Sequence, residues 1–192
     1  MSTISKTGYW VTEDKDVYSF NKNLCLLISA YLEKHKYKKV YDFGCGSGDY
    51  VKNLNLMGFT CLGIDGNPHV GKFIQPSIIR DFAEPFLLKR WDCIICLDVA
   101  ELIHPSFEDI FLDNLCNNAD KSILLSWSSK KTQDLHLNCR ETNHIITHFT
   151  KRGYKLNATD TYGLKNAVKK EIYVFNRVYN FDNPPTKDTT WE

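Results

Sequence analysis

The stretch Val40-Tyr41-Asp42-Phe43-Gly44-Cys45-Gly46-Ser47-Gly48 decides how this chain is read. Its first half is a short apolar run with the composition of a strand. Its second half is a glycine cluster that opens a predicted helix over 48–57, with Val51, Leu54 and Met57 on one side and Gly58 as the stop. Glycines at a strand-to-helix turn let the backbone close tightly and let a ligand approach it, while the first N–H groups of the helix stay free. The spacing departs from the dinucleotide pattern G-x-G-x-x-G, because Asp49 stands where the third glycine belongs and would repel a pyrophosphate. Asp42, at the carboxyl end of the strand, suits a ligand with a positive group, such as an amino acid ammonium.

Outward from this turn, helical and strand periodicities alternate. Val17, Phe20, Leu24, Leu27, Ile28 and Tyr31 fall on one helical face upstream. Downstream, strands are predicted over 59–65, 77–80, 91–98, 122–127, 154–160 and 171–177. Helices are predicted behind Pro105 and over 141–151. The run 91–98 is apolar almost throughout, as a central parallel strand should be. This alternation predicts an α/β, Rossmann-like, doubly wound sheet. The short link 163–170 before the last strand suits a hairpin, which would make that strand antiparallel. The 192 residues make one domain by size, assigned to 1–178, with a loose tail over 179–192 that carries Pro184-Pro185.

Two further strand ends carry acids. Asp65, followed by Gly66, stands where a carboxylate accepts hydrogen bonds from ribose hydroxyls. Asp81-Phe82 offers an acid and an aromatic ring for an adenine. An ammonium, a ribose and an adenine without a pyrophosphate describe S-adenosyl-L-methionine.

On these residues the sequence resembles the class I S-adenosylmethionine-dependent methyltransferases. Segment 40–48 looks like that family's first motif and Gly63-Ile64-Asp65 like its second. A resemblance to a small single-domain subgroup associated with sugar modification continues through Asp65-Gly66-Asn67-Pro68, Asp81-Phe82-Ala83-Glu84-Pro85-Phe86, Leu97-Asp98-Val99-Ala100-Glu101, Leu125-Ser126-Trp127 and His136-Leu137-Asn138. The resemblance implies seven strands with the last reversed. It implies Asp42 near the methionine amino group, Gly44, Cys45, Gly46 and Gly48 behind the methionine, Asp65 and Gly66 at the ribose, Asp81 and Phe82 at the adenine, and Asp98 on the same rim. It also implies that the aromatic N-terminal segment within 1–37, with Tyr9, Trp10 and Tyr18, covers the cofactor. One departure stands out. The subgroup's Glu-His-Ile-Pro reads Glu101-Leu102-Ile103-His104-Pro105 here, so Leu102 holds the family's histidine position.

Methylation of a hydroxyl gains from a general base, and histidine titrates in the useful range. Asp98, Glu101 and His104 follow one strand of the rim, and Trp127, His136 and Asn138 follow another. Either His104 or His136 is expected as the base, with His136 preferred because His-x-Asn keeps the subgroup pattern. Trp127, His136 and Asn138 are expected at the acceptor. Asp98, Glu101 and His104 could also hold a divalent metal, which is not the favoured reading. His144 and His148 share one helical face and are read as solvated.

Composition narrows the acceptor. Lys and Arg number 24 and Asp and Glu 23, a net charge of +1, which gives no support to large nucleic acid substrates or anionic membranes. No apolar run approaches the length of a membrane span, and no secretory signal pattern is visible. Seven cysteines, an odd number set largely in apolar runs, read as free thiols in the cytoplasm. Cys93 and Cys96 sit in a strand, where an odd offset sends them to opposite faces and argues against a redox or zinc pair. A small polar acceptor remains, with a sugar or glycan hydroxyl as the leading choice and a catalytically silent, cofactor- or partner-binding module as the alternative.

Overall fold

A computed structural model describes residues 3–179. A two-stranded antiparallel hairpin, β1 (Thr3–Ile4) and β2 (Trp10–Val11), precedes the main sheet. Then follow α1 (Lys22–Lys34), β3 (Lys39–Phe43), α2 (Asp49–Leu56), β4 (Thr60–Asp65), β5 (Ser77–Ile79), β6 (Trp91–Cys96), α3 (Glu108–Asn118), β7 (Ala119–Ser126), α4 (Thr142–Lys151), β8 (Tyr154–Leu156), α5 (Ala158–Val168) and β9 (Ile172–Arg177).

The seven-stranded sheet runs β5-β4-β3-β6-β7-β9-β8. Its pairs are parallel from β5 to β7, and β9 is antiparallel to both neighbours. The expected reversed final strand is present, but not through a hairpin. Helix α5 fills the connection, because the strand expected over 154–160 stops at Leu156 and Asn157 caps a new helix by accepting from the Asp160 N–H at 3.1 Å. The first helix is also shorter than its apolar stripe. Asn21 caps it by accepting from the Leu24 N–H at 2.9 Å, which leaves Val17 and Phe20 outside; Phe20 packs edge-on against Tyr50.

Strand alternation splits the core in two. Phe43, Ile64, Ile94, Cys96, Ile123, Leu125 and Phe175 face α3 and α4, where Phe111, Leu115, Ile145 and Phe149 meet them. Val40, Cys61, Cys93, Ile95, Leu124 and Val174 face α1, α2 and α5, against Leu24, Ile28, Leu32, Val51, Leu54 and Leu164. Cys93 and Cys96 therefore lie on opposite sides, and all seven cysteines are free. Fully burying side chains of this size stabilises by about 1.5–3 kcal/mol each, so both helical layers are held chiefly by these stripes. No helix among the described residues is long and apolar enough to cross a membrane. Of the tail read over 179–192, all but Tyr179 lies outside the described residues.

Strand order reverses between β3 and β6, with β4 leaving one way and β7 the other. Beyond the carboxyl ends of strands at such a switch point, the loops diverge and leave a cleft.

Candidate active site

The cleft has two adjoining chambers of about 910 and 970 Å3, counting their open mouths. They share Trp10, Val17, Ser19, Asp98 and Leu102, which form the partition between them.

The inner chamber is built on the glycine turn. Gly44, Gly46 and Gly48 have φ of 81°, 52° and 77°, the left-handed region that side chains disfavour. Space is as tight as the torsions: a Cβ on Gly44 would lie 2.1 Å from Val99 Cγ2, and one on Gly46 2.5 Å from the Tyr18 ring. The expected cofactor residues Asp42, Gly44, Cys45, Gly46, Asp65, Gly66, Asp81, Phe82 and Asp98 all line this chamber. Gly48 stands behind them as the cap of α2.

The three acids differ in how they are held. Asp42 is the next-to-last residue of β3, is 2% exposed and leaves Oδ2 without a hydrogen-bond partner. Burial, reinforced by the neighbouring Asp65 carboxylate, pushes its carboxyl up to about 8. Asp65 accepts from the Gly46 N–H and from the Asn67 N–H, both at 2.8 Å, and so ties the glycine turn to the turn after β4. Burial raises it as well, and these backbone donors counter the shift in part. Asp81 accepts from Thr7 Oγ1 at 2.8 Å. Phe82 stacks on Phe43 with centroids 5.3 Å apart, closing the chamber floor.

The N-terminal segment roofs this space. Asn67 is fully buried and donates through Nδ2 to the Thr12 carbonyl at 2.8 Å and to Tyr18 Oη at 2.9 Å. Tyr9 lies over Gly66, where a Cβ would meet its ring at 2.4 Å. One buried asparagine thus fixes the segment that carries Tyr9, Trp10 and Tyr18 onto the cleft.

The outer chamber has a different origin. Glu101, Ser126, Trp127, Ser128, Thr132, Gln133, His136, Lys170 and Glu171 surround it. Glu101 is 4% exposed, with Oε2 unpartnered. Burial raises its carboxyl to about 7; Asp98 adds to the rise, and the Lys170 ammonium opposes it. The Glu101 carbonyl accepts from the N–H groups of Leu137 and Asn138 at 2.9 and 3.0 Å, so the 136–138 turn hangs from the same residue. Asp98 takes φ of 59°, rare outside glycine, while its N–H donates to Ser126 Oγ at 2.8 Å and its carboxylate pairs with Lys170.

The sequence-derived acceptor residues do not all meet. His136 lines the outer chamber, half-buried, with Nδ1 3.2 Å from Thr132 Oγ1. Trp127 forms buried wall and donates its Nε1–H to the Asn138 carbonyl at 2.6 Å. The Asn138 side chain lies on neither chamber wall; it is buried beside Glu108. His104 also lines neither chamber. It is exposed and caps the 3-10 turn Pro105–Phe107, with Nδ1 accepting from the Ser106 N–H at 3.3 Å. Asp98, Glu101 and His104 therefore do not converge as metal ligands, because Pro105 starts the turn only after His104 and that histidine is used as its cap.

Lys170 and Glu171 were not expected here. Their signal was directional. An antiparallel strand delivers its first residues to the rim where parallel strands deliver their last, so the residues just before β9 had to arrive beside Ser126.

No protein-family model and no curated protein matches the chain by sequence. Solved structures do match in fold. A sugar N-methyltransferase from a Streptoalloteichus species aligns over 93% of this chain and 98% of its own, at 11% identity and a TM-score of 0.66. The methyltransferase domain of bacterial CtHen1-C aligns over 83% and 100%, at 15% identity and 0.64. Magnesium protoporphyrin IX methyltransferase from Synechocystis, solved with bound S-adenosylmethionine, aligns over 80% and 77%, at 19% identity and 0.62. The chain has the α/β fold of the S-adenosylmethionine-dependent methyltransferases, with a seven-stranded sheet that is parallel except for the reversed strand β9.

Proposed function

We propose that this protein is an S-adenosylmethionine-dependent methyltransferase acting on a hydroxyl of a small polar acceptor, a sugar or glycan. The observation that carries the cofactor assignment is the buried Asp42 carboxyl, aimed into the inner chamber with one oxygen unpartnered. A buried acid without a partner is costly, and an ammonium beside it would satisfy the oxygen and favour its ionised form. Asp65 and Asp81 stand at the next two strand tips for a ribose and a base. The cofactor supplies an electrophilic methyl group on a sulfonium. The protein's own part is to hold an acceptor in line with that methyl, exclude water and take up a proton.

Glu101 is assigned as the group that takes the proton. It is buried on the outer chamber, carries a free oxygen and is raised to about 7, close to the ideal for a base at neutral pH. His136 faces the same chamber and is assigned to acceptor positioning. The polar lining, with hydroxyls from Ser126, Ser128 and Thr132, suits a polyhydroxylated acceptor. A sugar N-methyltransferase with the same fold over nearly the whole chain supports a sugar acceptor.

The test is calorimetry with S-adenosylhomocysteine, followed by transfer of a labelled methyl group to a panel of sugars and amino sugars. Binding with label in a hydroxyl is the expected result. Binding with label only in an amine would move the acceptor atom to nitrogen. Binding with no transfer to any member would favour a silent module, the reading that Leu102 in place of the family's histidine suggests.

A further inference from the structure

We infer that Glu108, His144 and His148 form a binding site for a divalent transition metal of the zinc class, separate from the two chambers. One ligand atom from each residue lies within 4.8 Å of the others. The three residues come from two helices: Glu108 opens α3, and His144 and His148 sit one turn apart on α4.

The chemistry of the set fits. Two imidazoles at i and i+4 on one helix face and a carboxylate are a donor group suited to zinc, leaving a fourth position for water. The rings of His144 and His148 stack with centroids 4.2 Å apart. His144 Nε2 lies 2.6 Å from Glu108 Oε1, while His148 Nδ1 is buried and has no hydrogen bond. Arg140 holds the other carboxylate oxygen, its Nε donating to Oε2 at 2.6 Å, which leaves Oε1 as the single ligand atom. Asp109 lies 3.7 Å from His148 Nδ1 and is engaged by Arg152 at 2.8 Å. The histidines are therefore half-buried between α3 and α4, His144 against the Glu108 carboxylate and His148 near that of Asp109, rather than fully solvated as their spacing alone suggests.

A metal here would act as a staple. It would join α3 to α4, and through Arg140 it would reach the outer chamber, since the Arg140 N–H donates to the carbonyl of Ser128 on that chamber's wall at 3.1 Å. None of the three ligands lines either chamber, so the site stands apart from methyl transfer.

Titration of tag-free protein with Co(II), followed by its visible absorption, tests the assignment. One equivalent should bind with the intense bands of a four-coordinate centre, and Zn(II) should displace it and raise the Tm. His148→Gln removes a nitrogen that makes no hydrogen bond, so the metal-free variant should fold with an unchanged Tm. Its Co(II) affinity should fall by at least roughly 100-fold, more than loss of an outer partner costs a metal site. His144→Gln should lose Co(II) affinity to the same extent, but with a lowered metal-free Tm, because it also gives up the contact with Glu108 Oε1. Absence of the bands, or their persistence in both variants, would overturn the site.

Discussion

The inner and outer chambers touch, yet the sequence specifies them in opposite ways. The inner one takes its acids and its glycine turn from residues 42–82, each following a strand tip in chain order. The outer one is assembled from Glu101, the 126–136 stretch and the Lys170–Glu171 pair, which only the reversal of β9 brings to the rim. A site carried by consecutive βα turns is written as a motif. A site closed by a returning strand is written as topology, and its residues carry no local signature.

Variants at five positions test this division, from the largest expected effect to the smallest. Glu101→Gln should lower kcat by about 10²–10⁴-fold, the range for loss of a general base. Because the ionised form is active, kcat/KM in the wild type should fall as pH drops below about 7, and the variant should lose that limb. If His136→Ala abolished turnover while Glu101→Gln kept it, the two roles would be exchanged.

Asp42→Asn should weaken S-adenosylhomocysteine binding by roughly 10–150-fold, the worth of a hydrogen bond to a charged group. The wild-type affinity should rise with pH up to about 8, since below that value a proton must leave Asp42 before an ammonium can pair with it. The same shift acts on the ligand-free fold with a definite sign. The carboxyl is raised from 3.8, so stability declines as pH climbs from about 4 to about 8, and Asp42→Asn should flatten that decline in a series of Tm measurements.

Lys170→Met should act more gently. It removes the cation that opposes the rise of Glu101 and frees Asp98 beside it, so the acidic limb of the rate profile should move to higher pH while cofactor binding changes little. His104→Ala should leave kcat unaltered and lower stability by less than about 1 kcal/mol, the scale of a lost cap, measured by urea unfolding. A large fall in kcat would return His104 to the chemistry.

The fold was legible where apolar periodicity was strong. The run around Ile94 and Ile95 marked a central strand, and the odd spacing of Cys93 and Cys96 placed them correctly in separate layers. The reversed β9 was expected for a reason that does not hold. Gly163 and the scarcity of apolar residues hide α5, which buries only Leu164, and the Asn157 cap reads in sequence as the tail of a strand. At the site, the motif residues were legible because the backbone itself demands them: only glycine accepts the torsion and the proximity found at Gly44. His104 and Asn138 lie off both chambers because short motifs report sequence adjacency, whereas one caps a 3-10 turn and the other is buried beside Glu108. Lys170 escaped notice because its neighbours in space, Asp98 and Ser126, lie far from it along the chain.

The position of β9 bears on synthesis. It lies between β7 and β8, yet it is made after both. A ribosome that has extruded the chain through β8 presents β7 with an open flank and β8 with no strand to pair with. The sheet can close only when the last of its strands has emerged and threaded between them. Until then the emerging polypeptide offers a bare ladder of N–H and C=O groups to any neighbour, which makes the interval between the synthesis of β7 and that of β9 its most vulnerable one.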